Sequence, residues 1–515
     1  MVSRESFDVI VVGSGAAGLS AALTTARAGL RTLVLERTEV IGGTSAMSGG
    51  LVYAPGSPLA QAEGYEMDRA AVTGYLEAVA RRPIDAALLA AFLDAAPAMV
   101  DQLLESGLAL RLTGLSDYYR RVPGAVVGHV IAAESFDPKT LGDLAVRVRH
   151  SPYRDCTPPW TGGMALIASL VAACAAAGAS IWTSCRATRL LSEDGAVAGV
   201  EVHGAGAPVL ARASQVILAS GGFEFNGALV REWVGKTLEG AWSCPGNEGD
   251  GLLMAQSVGA ALSAVGEVQW YPLLRLSDEV RESAPLFADA GPARNLPGSI
   301  IIDSQGRRFA NESGPYQDFG RALGGRVPGR RPAWLVVDQA FLDAYRLACF
   351  GDRPLMPPHW LTASTPADLA VLAGIRPGVF EQTLRTFNEA AAVGKDPAFG
   401  RGEDELDQVW GDIEKEGAAT CLAPLERGPF HATRIYAGCS GTTGGPRVDA
   451  SGHVLNGRGT PVPGLYAAGN VTAQLFGDAS PASGATLGPG LTFGYLAGRG
   501  AVAALGQSGA VAPVR

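Results

Sequence analysis

The hydrophobic pattern opens with an unbroken apolar run, Val9-Ile10-Val11-Val12, that passes directly into Gly13-Ser14-Gly15-Ala16-Ala17-Gly18. A short continuous run bounded by glycine reads as a strand buried on both faces. Alanine- and leucine-rich residues follow as a helix, and Leu33-Val34-Leu35 forms a second strand ending at Glu36. This is a dinucleotide-binding βαβ pattern. Gly13 permits the tight turn, Gly15 lets backbone approach a pyrophosphate, and Gly18 lets the helix pack on the strand. The helix start at Ala16 and Ala17 faces the phosphates. Glu36, 18 residues after Gly18, stands where an acid takes a ribose hydroxyl.

Beyond Glu36 the pattern alternates between Gly-rich loops and regular elements. Residues 41–50 are too rich in small residues for an ordinary linker, and helical periodicity fills residues 70–106. An aromatic, turn-rich stretch follows at residues 117–124. Residues 161–185 carry no charge and are long enough to span a bilayer. Gly178 breaks that run, so it reads as a buried helix over 164–177 followed by a strand around Ile181-Trp182-Thr183. A hairpin is expected over 188–203 with its turn at Asp194-Gly195, then a strand from Gln215 to Ala219 that ends at Ser220-Gly221-Gly222-Phe223. From about Val268 to Gly428 the glycine fingerprints stop and mixed polar strands, prolines and helices take over. The last ninety residues return to Gly-rich strand and loop. The expected class is α/β: a discontinuous Rossmann-type cofactor domain over residues 1–270 and 430–515, with an inserted α+β substrate domain over 271–429.

Length supports more than one domain, since 515 residues exceed what one core accommodates. Charged residues are 18%, below the roughly 25% of average soluble domains. The net charge of -9, with no basic cluster, argues against nucleic acid or an anionic membrane as partner. Seven cysteines (156, 174, 185, 244, 349, 421 and 439) are scattered without CxxC or metal-like pairing. They fit a reducing compartment, no structural metal, and a cytoplasmic location. No secretory leader pattern precedes the first strand.

Four motifs in order resemble the flavoprotein family that contains fumarate reductase, the succinate dehydrogenase flavoprotein and the 3-ketosteroid dehydrogenases. They are the fingerprint with Glu36; Gly42-Gly43-Thr44-Ser45 with Ser48-Gly49-Gly50; Ala219-Ser220-Gly221-Gly222-Phe223-Glu224 with Asn247-Glu248-Gly249-Asp250-Gly251; and Gly464 to Asn470 with Gly484 to Gly494. The resemblance covers nearly the whole chain and implies FAD. The implied contacts are the fingerprint and Glu36, the loop residues Gly43, Thr44, Ser45, Ser48, Gly49 and Gly50, then Ala187, Ala219, Ser220, Gly221, Gly469, Thr486 and Leu487. Asp250 and Asn470 are implied partners of the phosphate-ribityl portion. The helix starting near Thr486 would present N–H groups to the pyrimidine end of the flavin. The stretch from Thr44 to Gly50 lacks the histidine that carries covalent flavin in the membrane complexes, so non-covalent FAD is expected.

The branch is decided by three positions. Fumarate-type enzymes resemble Arg-Phe-x-Asn-Glu-x-x-x-Arg where this chain has Arg308-Phe309-Ala310-Asn311-Glu312-Ser313-Gly314-Pro315-Tyr316, so tyrosine replaces the acid-catalyst arginine. Gly441 stands at their substrate histidine and Pro481 at their clamping arginine. Without those charges a dicarboxylate has no bidentate partner. Tyr316 after Asn-Glu is similar to the 3-ketosteroid dehydrogenase branch. There a tyrosine removes the proton next to a ketone while flavin N5 accepts hydride from the neighbouring carbon. Gly484 N–H matches the family's donor to the carbonyl oxygen, but Ser480 occupies the place of the companion tyrosine. Either Ser480 or Ser483 supplies a shorter donor, or a hydroxyl from Tyr118 or Tyr119 reaches in; Tyr119 resembles the family's third active-site tyrosine. His431 reads as core, Arg120 and Arg121 as a solvated face, and Trp160, Trp270 and Tyr271 as core or pocket wall.

The expected activity is an FAD-dependent dehydrogenase forming a carbon-carbon double bond beside a ring ketone, a steroid or a smaller oxocyclohexane. Its electrons would go to an oxygen or quinone-like acceptor. The alternatives are an enoate reductase of the fumarate reductase type, and a flavin-binding module without its own substrate.

Overall fold

The computed structural model describes residues 4–509 apart from 205, 236–237, 282–283, 326 and 346–358. Cys349 lies outside the described residues.

The nucleotide sheet has six strands in the order His453–Leu455, Pro461–Ala467, Gln215–Leu218, Val9–Val12, Thr32–Leu35, Ser180–Trp182. All pairs are parallel except the edge strand His453–Leu455. Every residue of Val9–Val12, Thr32–Leu35 and Gln215–Leu218 is buried, as a parallel sheet covered on both faces requires. The fingerprint helix Ala16–Arg27 lies on this sheet between Gly162–Ala176 and the C-terminal helix Leu487–Gly509. Ser20 Oγ donates to Leu491 O at 2.7 Å and joins helices 471 residues apart in sequence.

The uncharged stretch forms the helix Gly162–Ala176 and the strand Ser180–Trp182, and the helix is buried almost throughout. Among the described residues one helix, Ala86–Glu105, is long and apolar enough to cross a membrane. Here it buries Leu89, Phe92, Leu93, Met99, Val100 and Leu103 in the protein core, and Asp85 caps its first turn. The expected hairpin is present as Arg186–Glu193 and Ala196–His203.

A second sheet carries Ala284–Asp289, Val268–Arg281, Phe430–Thr442, Ala333–Asp338 and Ser299–Ile302 in that order. Phe430–Thr442 is its middle strand. The helix Tyr316–Gly324 packs on the strand Val268–Arg281 at very short range. A Cβ at Gly320 would lie 2.7 Å from Tyr271 N, and one at Gly324 would lie 2.3 Å from the Trp270 ring. Two glycines on one helical face therefore let this helix ride on the strand, with Phe319 and Leu323 buried beside them. That contact sets where the first residue of the helix, Tyr316, projects.

Candidate active site

The first strand delivers Gly13 at φ +107°, where a Cβ would sit 2.4 Å from Ala219 O. A Cβ on Gly18 would lie 2.0 Å from Gly13 O, so this glycine serves helix–strand contact. Gly15 differs: its nearest neighbour is Ser45 Oγ at 3.5 Å, which leaves the backbone open to a ligand. Ala16 N donates to the same Ser45 Oγ at 3.1 Å. Glu36 is buried and accepts from Ser14 Oγ at 2.5 Å and from Thr38 N and Oγ1 at 2.8 and 2.9 Å. Arg186 grips Asp250 through Nε and Nη2 at 2.9 and 2.6 Å, and Arg37 reaches Glu248 at 3.0 Å.

These residues line one cavity of about 530 Å³. Every residue expected to touch the cofactor lines it except Gly18. Asn470 does so with its Oδ1 accepting from Gln474 at 2.9 Å, and Thr486 and Leu487 do so at the start of the C-terminal helix. The two helix starts at Ala16 and Leu487 and an open Gly15 suit a dianionic pyrophosphate and an electron-rich ring. The donor set fits FAD.

Tyr316 marks the other end of the cavity. Its hydroxyl is 2.6 Å from Ser480 Oγ. Tyr271 stacks on its ring with centroids 4.0 Å apart and planes 15° apart, and Tyr118 meets it edge-on at 5.8 Å. Burial raises the Tyr316 phenol, while the hydroxyls of Ser480, Tyr271 and Tyr118 pull it down. Tyr118 and Tyr271 are raised well above the ordinary tyrosine value, first by burial and then by Tyr316 itself. Of the three rings, Tyr316 is therefore the one best placed to carry negative charge.

Gly484 lines the cavity at φ +79°, with Leu51 O 2.6 Å from any added Cβ. Its N–H donates to no group among the described residues. Beside it Tyr118 OH and Ser483 Oγ are 2.9 Å apart. Pro481, at the position of the fumarate-type arginine, contributes its carbonyl, which accepts from Tyr118 N at 2.9 Å and Tyr75 OH at 2.6 Å.

Two expectations need correction. Tyr119 does not line the cavity; its hydroxyl donates to Asp318 Oδ2 at 2.9 Å, and burial followed by that carboxylate raises its phenol. The tyrosine that reaches Tyr316 is its neighbour, Tyr118. Ser480 contacts the Tyr316 hydroxyl and does not line the cavity, whereas Ser483 and Tyr118, bonded to each other, line it together with Gly484. Arg120 and Arg121 are exposed, as expected of a solvated face, and make surface contacts there: Arg120 pairs with Glu405, and Arg121 lies 3.5 Å from Asp404 and donates to Glu403 O at 2.9 Å. That segment brings Leu406 and Trp410 to the cavity wall. His431 is buried between Thr362 and Gln339, away from the cavity. Trp160 and Trp270 are core.

Sequence reasoning passed over Asp289 and Arg294, both buried and both lining the tyrosine end. No motif marks them. Tyr271 was placed only as core or wall; its alternation with the fully buried Trp270 along one strand is the signal that separates cavity face from core face.

Comparison with known proteins follows the same lines. The family profile for the FAD binding domain matches residues 8–487. The 4-oxocyclohexanecarboxylate 2-dehydrogenase of Sinomonas cyclohexanicum is 35% identical, over 96% of this chain and 93% of that protein. The 3-oxosteroid 1-dehydrogenase of Mycolicibacterium smegmatis is 34% identical, over 96% and 97%. Among solved structures, the 3-ketosteroid Δ1-dehydrogenase of Sterolibacterium denitrificans in complex with 1,4-androstadiene-3,17-dione superposes with a TM-score of 0.88 at 29% identity, covering 97% of this chain and all of that one.

Proposed function

Because the chain belongs to the FAD binding domain family, we propose that it is a ring-ketone dehydrogenase that forms a carbon-carbon double bond α,β to the carbonyl. The observation that carries this reading is the Tyr316 hydroxyl, held by Ser480 and enclosed by two further tyrosines, at the same end of the cavity as the free Gly484 N–H.

In this reading the carbonyl oxygen accepts from Gly484 N–H and from the Tyr118 hydroxyl, itself oriented by Ser483. As charge builds on that oxygen the α-proton becomes removable. Tyr316 takes that proton, and Ser480 stabilises the phenolate by donating to it. Bound FAD would supply the hydride acceptor for the β-carbon, so that the substrate loses one proton and one hydride. Gly15, Ala16, Glu36, Asn470 and the start of the C-terminal helix hold the cofactor, without a covalent bond. We assign cofactor binding to residues 1–270 and 430–515 and substrate binding to 271–429, with Phe430–Thr442 tying the two. The electron acceptor is oxygen or quinone-like, and cysteines scattered without CxxC spacing suit a cytoplasmic enzyme. A fumarate-type reduction finds no charge at Tyr316, Gly441 or Pro481.

Anaerobic mixing of the flavin-loaded protein with cyclic ketones and 3-ketosteroids tests the reading: a saturated ring ketone should bleach the flavin. Tyr316→Phe should keep FAD and slow bleaching by about 10²–10⁴-fold, the usual worth of a positioned general base. Bleaching at an undiminished rate would remove Tyr316 from the chemistry.

A further inference from the structure

Charged side chains lining the cavity fall into two sets. Glu36, Arg37, Arg186 and Asp250 lie at the nucleotide end and satisfy one another or nearby donors. Asp289 and Arg294 lie at the tyrosine end. Arg294 is 3% exposed. Its Nη1 donates to the carbonyls of Glu312 and Gly314, the latter at 2.9 Å, while its Nε has no partner and its Nη2 makes no hydrogen bond among the described residues. Phe319 backs the guanidinium at 5.8 Å. It forms no salt bridge among the described residues, although a buried cation without a paired anion is strongly disfavoured.

Resting on the dehydrogenase reading above, we propose that the ring ketone this site takes carries a carboxylate, and that Arg294 is the specificity-determining residue that receives it. A carboxylate gives the guanidinium the charge-assisted partner it lacks. A hydrocarbon ring system in the same place leaves it unpaired.

Asp289 couples this recognition to protons. One of its oxygens accepts from Gly291 N at 2.9 Å, and burial pushes its carboxyl up to about 6 despite the opposing pull of Arg294. The other titratable groups around the pair are Tyr271, Tyr316 and Tyr118 on Asp289, and Arg401, Asp407 and Tyr271 on Arg294. An arriving carboxylate favours the protonated form of Asp289, which then donates to it. Binding of the acid should therefore tighten as pH falls from 7.5 through 6, as long as the ligand stays ionised.

The test uses FAD-loaded protein and two measurements. Calorimetry with cyclohexanecarboxylate, which has no ketone to oxidise, should show binding that weakens at least tenfold in Arg294→Gln and only partly in Arg294→Lys. Flavin bleaching by 4-oxocyclohexanecarboxylate should have a KM at least tenfold below that of its methyl ester, and Arg294→Gln should raise the KM for the acid alone. Failure of cyclohexanecarboxylate to bind, or equal losses for acid and ester in both variants, would overturn the proposal and leave Arg294 as a brace for the 312–314 loop. Bleaching by neutral ketones or steroids in preference to the acid overturns this inference but leaves the dehydrogenase reading intact. Carboxylate binding with no bleaching by any ketone does the reverse.

Discussion

A tyrosine acts as a base only to the extent that its surroundings favour phenolate, and at Tyr316 two effects compete. Enclosure raises the phenol above 10.0, and hydroxyl donors oppose it, Ser480 foremost at 2.6 Å. Because the phenol remains above that value, the fraction of base grows with every step of pH below it. The rate of flavin reduction by substrate should accordingly climb through pH 7 to 10 without levelling. Ser480→Ala removes a hydrogen bond to a charged group, worth about 1.5–3 kcal/mol, so reduction at pH 8 should fall by about 10- to 150-fold while the climb continues to higher pH. A profile that levels off below pH 9, or is unchanged by the substitution, would place the base elsewhere. The motif around Asn311-Glu312 was enough to single out Tyr316 from sequence. It was not enough to choose between Tyr118 and Tyr119. Adjacent side chains point in different directions, and what turns Tyr118 inward is the distant Pro481 carbonyl on its N–H and Ser483 on its hydroxyl.

The helix Tyr316–Gly324 owes its seat to the absence of side chains at Gly320 and Gly324. Gly324→Ala drives a methyl group toward the Trp270 ring, where overpacking costs about 1–3 kcal/mol. The helix should tilt away and carry Tyr316 with it. Expected outcomes are a lowered Tm and a loss of kcat with FAD content unchanged, since the nucleotide end does not touch this helix; thermal scans and flavin absorbance check both. Periodicity marked the strand Val9–Val12, the helix after it, the hairpin over 188–203 and the buried helix over 164–177. What periodicity does not contain is which face of the strand Val268–Arg281 looks at cofactor and which at core. Tyr271 and Trp270 take opposite faces, and only the packing of the second sheet decides between them.

Contacts distant in sequence complete the molecule, and they were the least visible beforehand. Arg120 and Arg121 bind the loop that presents Tyr118 to the 403–405 segment that presents Leu406 and Trp410. Exposed pairs of this kind contribute about 0–1 kcal/mol each, so the double variant Arg120→Ala, Arg121→Ala should keep its Tm within about 2 °C. Its effect should appear in access to the cavity. KM for a ketone should rise in wild type between about 0.02 and 0.5 M salt, as screening weakens the pairs, and be high and salt-independent in the variant. Equal salt dependence in both proteins would show that the pairs do not hold the wall. The cavity is closed by residues from distant parts of the chain, Gly13 on one side and Leu487 on the other. Gly13 emerges from the ribosome some 470 residues ahead of Leu487. At about 5–20 residues per second that is roughly 25–95 s of synthesis. Throughout that interval the nascent βαβ unit exposes the helix face that Leu491 will cover and has no complete nucleotide site to load. Cofactor capture is thus a post-translational event, and a cell short of riboflavin should accumulate full-length apoprotein rather than stalled fragments.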